Sequence, residues 1–136
     1  MANITTGKYQ VIGPTFGNEE GFVKLVYDFS VDGGAYSGNT YRLGLTSHKI
    51  LITQAVIHVE TAVVGTSSTV SMGTTTASTV LLSSVAEATL VDDYVVATAG
   101  AQVEVVPSGD YITMTIGTAN LTAGKINVFL RYVTID

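Results

Sequence analysis

The chain has 136 residues, enough for one domain with a substantial core. Its charged fraction is 12% against the ~25% usual for soluble domains, while 46% of its residues are hydrophobic. The formal net charge of −5 and the absence of any basic run exclude phosphate-neutralising nucleic-acid binding, and the absence of cysteine excludes disulfides, thiolate metal sites and thiol nucleophiles.

No apolar run approaches the ~20 residues of a membrane-spanning helix, and the start MANITTGKYQ lacks the basic and apolar blocks of a signal peptide. The lack of cysteine is compatible with synthesis in a reducing cytoplasm. So few charges on so apolar a chain imply that part of the surface is covered by another subunit or partner.

Residues 1–21 mix four glycines and a proline with isolated apolar side chains and cannot form a core of their own. An extended arm lying on a neighbour is expected, with Tyr9, Val11, Ile12 and Phe16 as its partner-binding anchors. A single β-sandwich domain is expected over 22–136.

Phe22–Val31 alternates Val23, Leu25, Tyr27, Phe29 and Val31 with mostly polar residues, which predicts a strand. The Gly-rich stretch Asp32–Asn39 predicts a loop, and the spacing of Asp28 and Asp32 does not fit a calcium loop. Thr40–Leu45 predicts a short strand. Ile50–Thr61 predicts a longer one, buried on both faces at its start and on one face at its end, because the apolar positions change parity along it. A turn at Gly65–Ser68 leads to a strand at Thr69–Met72. Thr74–Leu90 carries some helical spacing, and one or two helical turns or an irregular excursion both fit. Further strands are expected within Asp92–Thr98 and Gln102–Val106, followed by a turn at Pro107–Asp110.

Tyr111–Ile116 and Lys125–Val133 both alternate with period two around the Gly-bounded segment Gly117–Gly124, and read as a closing hairpin. The whole pattern is all-β: a sandwich, jelly roll or small barrel.

Chemistry-bearing residues are sparse. His58 and Glu60 lie two apart and share one strand face, a pairing able to serve acid–base work or a metal, but equally a polar half-exposed face. His48 adds a second imidazole with no readable relation to the first. Asp92 and Asp93 on a strand would point to opposite faces, a poor paired-carboxylate device. The serines lack a G-x-S-x-G elbow, and there is no Walker or G-x-G-x-x-G sequence. The seven tyrosines could stack sugars or close the rim of a β core. No catalytic residue, metal ligand or cofactor is assigned, and the chain reads as a non-enzyme.

From Ile50 onward, the order of features resembles the small β-sandwich decoration, or cement, proteins of tailed-bacteriophage capsids. The features are an Ile/Val strand ending in a Thr-Ala step at Ala62, the strand end V-x-M-G at Val70–Gly73, a small-residue excursion over Thr74–Leu90, and the closing L-T-A-G-K-x-x-V-x-x-x-Y at Leu121–Tyr132. Where the family pattern follows the Ala with an aromatic, this chain has Val63. The resemblance implies a jelly-roll-like sandwich, a homotrimer, binding to the major capsid protein on the outer surface of the virion after synthesis in the host cytoplasm, and mechanical stabilisation of the shell. A tail-associated or carbohydrate-binding β-sandwich is the alternative.

Overall fold

The computed structural model describes residues 3–4, 10–14, 20–35, 39–97 and 104–135. Two sheets pack face to face. Sheet A runs β1 (Asn3–Ile4), β4 (Asn39–Thr46), β10 (Tyr111–Gly117), β6 (Thr69–Thr74) and β7 (Leu82–Ala86), with β2 (Gln10–Ile12) also paired to β4. Sheet B runs β3 (Gly21–Asp28), β11 (Leu121–Thr134), β5 (Ile50–Gly65) and β8 (Val95–Ala97), with β9 (Glu104–Val106) on the same edge of β5 as β8. Apart from the β6–β7 and β8–β9 steps, each strand from β3 onward hands the chain to the opposite sheet. That is the jelly-roll manner of building a sandwich, and the expected all-β sandwich is what forms.

Alternation decides which side chains fill the space between the sheets. Sheet B contributes Leu25 and Tyr27 from β3, Ile57 and Val59 from β5, and Ile126, Val128 and Leu130 from β11. Sheet A answers with Tyr41, Val70, Met72, Ile112, Met114 and Ile116. Tyr27 and Tyr41 meet edge to face across the core, ring centres 5.5 Å apart. Their hydroxyls reach main-chain carbonyls of Gly33 and Ala35, so the two buried phenols are satisfied.

The change of parity along β5 has a different cause from two-sided burial. Tyr132 pairs with Ile52 while Arg131 pairs with Gln54, leaving Thr53 as an extra residue. This bulge turns the strand so that Ile50 and Ile52 point inward before it, and Ala55, Ile57 and Val59 after it.

The strand expected over Phe22–Val31 stops at Asp28. The Asp28 carboxylate accepts hydrogen bonds from the Ser30 amide at 3.0 Å and the Ser30 hydroxyl at 2.7 Å. It caps a single helical turn, α1 (Phe29–Asp32), which Gly33 ends at φ 81°. Over Thr74–Leu90 the chain makes the loop and strand of a hairpin, β6–β7, and then a 3₁₀ turn at Glu87–Thr89.

The closing hairpin is corrected outright. β10 pairs with β4 and β6 in sheet A, whereas β11 pairs with β3 and β5 in sheet B. The link between them is an arch that crosses the sandwich. It lies beside a second arch joining β5 to β6, because β5 pairs with β11 and β6 with β10. The Ser68 hydroxyl stitches the two arches, donating to the carbonyls of Ala119 and Asn120. At the opposite end, the β4–β5 and β9–β10 links are stacked in the same way around Thr46.

Residues 10–12 do not leave the domain. β2 runs parallel to β4, pairing Gln10 with Gly44 and Ile12 with Thr46. The Ile12 carbonyl also accepts from the Ser47 amide and hydroxyl.

Candidate interaction surface

Of the four expected anchors, Ile12 is 0% exposed and belongs to this chain's own core, while Val11 is 60% exposed. Tyr9 and Phe16 lie outside the described residues. The two Val11/Ile12 outcomes follow from strand alternation: fixing Ile12 inward on the edge of sheet A turns Val11 outward.

The outer face of sheet B combines apolar and charged groups. Three strands in register set it out. Phe129 on β11 lies between Lys24 on β3 and Val56 on β5, and one step along, Asn127 lies between Val26 and His58. Phe22, 62% exposed, stacks on Phe129 with ring centres 6.1 Å apart. The Lys24 ammonium stands 5.9 Å from the centre of the Phe129 ring. Val95 and Val105 extend the apolar area on the β8 and β9 edge, opposite His58 and Leu51. Lys24, Lys125 and Arg131 place half of the chain's six Lys and Arg residues here, although the whole chain is acidic.

A polar network crosses the same face. The Asn127 amide nitrogen donates to Glu60 Oε1 at 3.0 Å and lies 3.3 Å from His58 Nδ1. His58 Nε2 lies 3.1 Å from Asp93 Oδ1, and Lys125 Nζ is 3.3 Å from Glu60 Oε2. Hydrogen bonding from Asn127 and then from Lys125 holds the Glu60 carboxyl below its usual range. Asn127 is 3% exposed, and its Oδ1 has no hydrogen-bond partner among the described residues.

His58 and Glu60 do share a face, as their spacing requires. With Asn127 donating at Nδ1 and Asp93 accepting at Nε2, both imidazole nitrogens are engaged inside the chain. His48 is elsewhere, its Nδ1 3.1 Å from the Ser47 hydroxyl. Among the described residues no three His, Asp or Glu side chains converge as a metal site. Asp92 and Asp93 sit in the turn before β8 and not on a strand. Asp92 accepts from the Ala62 amide at 2.6 Å, and Asp93 adopts φ 64° to reach His58. The arrangement is a surface lattice that fixes side-chain positions; it presents no nucleophile beside a base.

Sequence reasoning missed this face because its members are scattered over β3, β5, β8, β9 and β11. Odd-numbered polar and aromatic positions of Lys125–Arg131 were the available signal, since they mark the side of β11 turned away from the core.

No family model and no curated protein matches the chain. Two solved structures share its fold. A chain in the capsid asymmetric unit of cyanophage Pam1 superposes with TM-score 0.65 at 16% identity, over 91% of each chain. A chain in the acid-stable capsid structure of Helicobacter pylori bacteriophage KHP30 superposes with TM-score 0.61 at 15% identity, over 85% of this chain and 89% of that one.

Proposed function

We propose that this chain is a non-enzymatic structural protein of a bacteriophage virion, and within that class a decoration protein that binds the outer capsid surface and stiffens the shell. The observation carrying this reading is the shared fold over about nine-tenths of both chains with a component of the Pam1 capsid. The low charge and the aromatic, cation-edged outer face of sheet B support it, because such a face suits burial against another subunit.

In this reading the chain assembles as a homotrimer and contacts the major capsid protein. Phe22 and Phe129 supply apolar anchors, and Lys24, Lys125 and Arg131 steer the face toward carboxylates. Val11, exposed on β2, together with Tyr9 and Phe16 from residues 1–21, adds a second contact to a neighbour. Many copies acting together multiply a modest contact energy.

The test is genome retention by particles carrying and lacking the chain, heated in steps and read by dye access to the nucleic acid. Release at a lower temperature without the chain is expected; identical release curves would reject the stabilising role. Light scattering on the purified chain reads the trimer separately. Phe22→Ser should reduce occupancy on particles without loss of folding.

A further inference from the structure

We propose that a groove on the outer face of sheet A binds an acidic sugar residue, with its carboxylate on Arg42 and its hydroxyls on Thr40, Thr115 and Ser78. This site is on the opposite face from the surface assigned to capsid contact, and the inference does not depend on that assignment.

The groove has a volume of about 580 Å³ and is lined by Thr40 and Arg42 of β4, Tyr111, Thr113 and Thr115 of β10, and Thr74, Thr75 and Ser78. This is within the ~300–1,000 Å³ range of small-ligand sites. Among the described residues its lining contains no acidic side chain. The Arg42 guanidinium lies over the Tyr111 ring, its central carbon 4.0 Å from the ring centre, a contact that restricts its orientation. No described carboxylate pairs with it, and its Nε is shielded from solvent without an acceptor. A guanidinium restricted by a ring, in a groove whose described lining carries no acid, is matched by a carboxylate on its terminal nitrogens.

The surrounding hydroxyls decide what carries that carboxylate. Thr40 and Thr115 are directly opposite each other on β4 and β10, and Thr113 is opposite Arg42. Thr74 and Thr75 already accept from the amides of Ala77 and Tyr111. Thr40, Thr115 and Ser78 have no such engagement among the described residues. Neighbouring strands stand about 4.8 Å apart, so these groups form a flat field of hydroxyls able both to donate and to accept. A sugar offers the same dual chemistry.

An acidic peptide fits less well. β10 lies between β4 and β6, and its main-chain groups are already committed to both neighbours. A peptide could add no strand here.

The experiment records amide chemical shifts of the purified full chain during titration with trigalacturonate, with neutral galactotriose and with a hexaglutamate peptide. Trigalacturonate should shift residues of Thr40–Arg42 and Tyr111–Thr115 saturably, with the neutral sugar weaker by roughly tenfold or more, the scale of one charge-assisted contact. Arg42→Gln should abolish the preference for the acidic sugar. Thr115→Val, which preserves a β-branched shape, should weaken both sugars. Shifts that are absent, that map elsewhere, or that are equal for both sugars would overturn the proposal. Hexaglutamate binding at this groove as tightly as trigalacturonate would overturn it in favour of an acidic polypeptide.

Discussion

Thr46 and Asp110 hold two sheet-crossing links together through three hydrogen bonds. The Thr46 amide and hydroxyl donate to the Asp110 carbonyl at 2.9 and 3.1 Å, and the Asp110 amide donates back to the Thr46 hydroxyl at 3.1 Å. The same hydroxyl lies 2.6 Å from the Pro107 carbonyl, and Thr46 is 1% exposed. Thr46→Val keeps the shape but strips partners from buried main-chain groups. It should cost about 1–3 kcal/mol in urea unfolding, the penalty for such orphaned groups. An unchanged midpoint would mean that water replaces the hydroxyl.

Leu130 tests the face assignment of the closing strand. It is 0% exposed, between Val23 and Ala55 in register. Leu130→Ala should lose about 2–5 kcal/mol, whereas Arg131→Ala, one position along and exposed, should lose far less. Equal losses would show that the register is shifted.

Gly34 is a place where no side chain fits. A Cβ there would stand 2.3 Å from the Leu121 carbonyl oxygen, and main chain cannot rotate away as a side chain can. Gly34→Ala should destabilise by at least about 1–3 kcal/mol. Gly13→Ala, which meets nothing within 4 Å, should fall within about 0.5 kcal/mol of the parent and serves as the control.

Thr118 sits at φ 75° in the β10–β11 arch, an unfavourable conformation for a β-branched residue. Thr118→Asn relieves it without adding the chain freedom of glycine. A gain of up to about 1 kcal/mol in thermal unfolding is expected. A loss would reveal that the threonine side chain contributes more than its backbone costs.

The pH dependence has a sign at each end. Asp28 is held below its usual carboxylate range chiefly by the Ser30 hydroxyl, and Glu60 by Asn127 and Lys125. Each contributes stability above the unfolded carboxylate value of about 4, lost as pH falls through the lower folded value. Tyr27 behaves in the opposite way. Burial raises its phenol, so its contribution is complete below about pH 10 and is lost as pH rises through the folded value. Urea midpoints across pH should therefore fall at both extremes, and Glu60→Gln should flatten the acid limb. An acid limb unchanged by that substitution would remove Glu60 from the account.

Period-two patterning made most strands legible, including β3, β5, β10 and β11, because each has one face in the core. What patterning could not carry was the sheet to which a strand belongs. Tyr111–Ile116 and Lys125–Val133 alternate identically whether the short link between them folds back within one sheet or arches over to the other. The deciding contact is Ser68 against Ala119 and Asn120, some fifty residues away in sequence. Thr53 was equally silent, since a bulge reads as a parity change that two-sided burial would also produce. Ile12 was seen as apolar but not as inward, because three residues beside a proline give no period. The outer faces were least legible: Arg42 and Tyr111 meet only because β4 and β10 are neighbours in sheet A.

Passing the chain repeatedly from one sheet to the other has a mechanical consequence. In a sandwich whose halves are each continuous, shear can slide one sheet over the other against packing forces alone. Here the covalent backbone crosses the seam at both ends, so sliding would have to stretch peptide bonds or uproot whole strands. A load applied to one outer face reaches the other through the chain itself, as tension in a laced boot passes through the lace rather than through friction between the flaps.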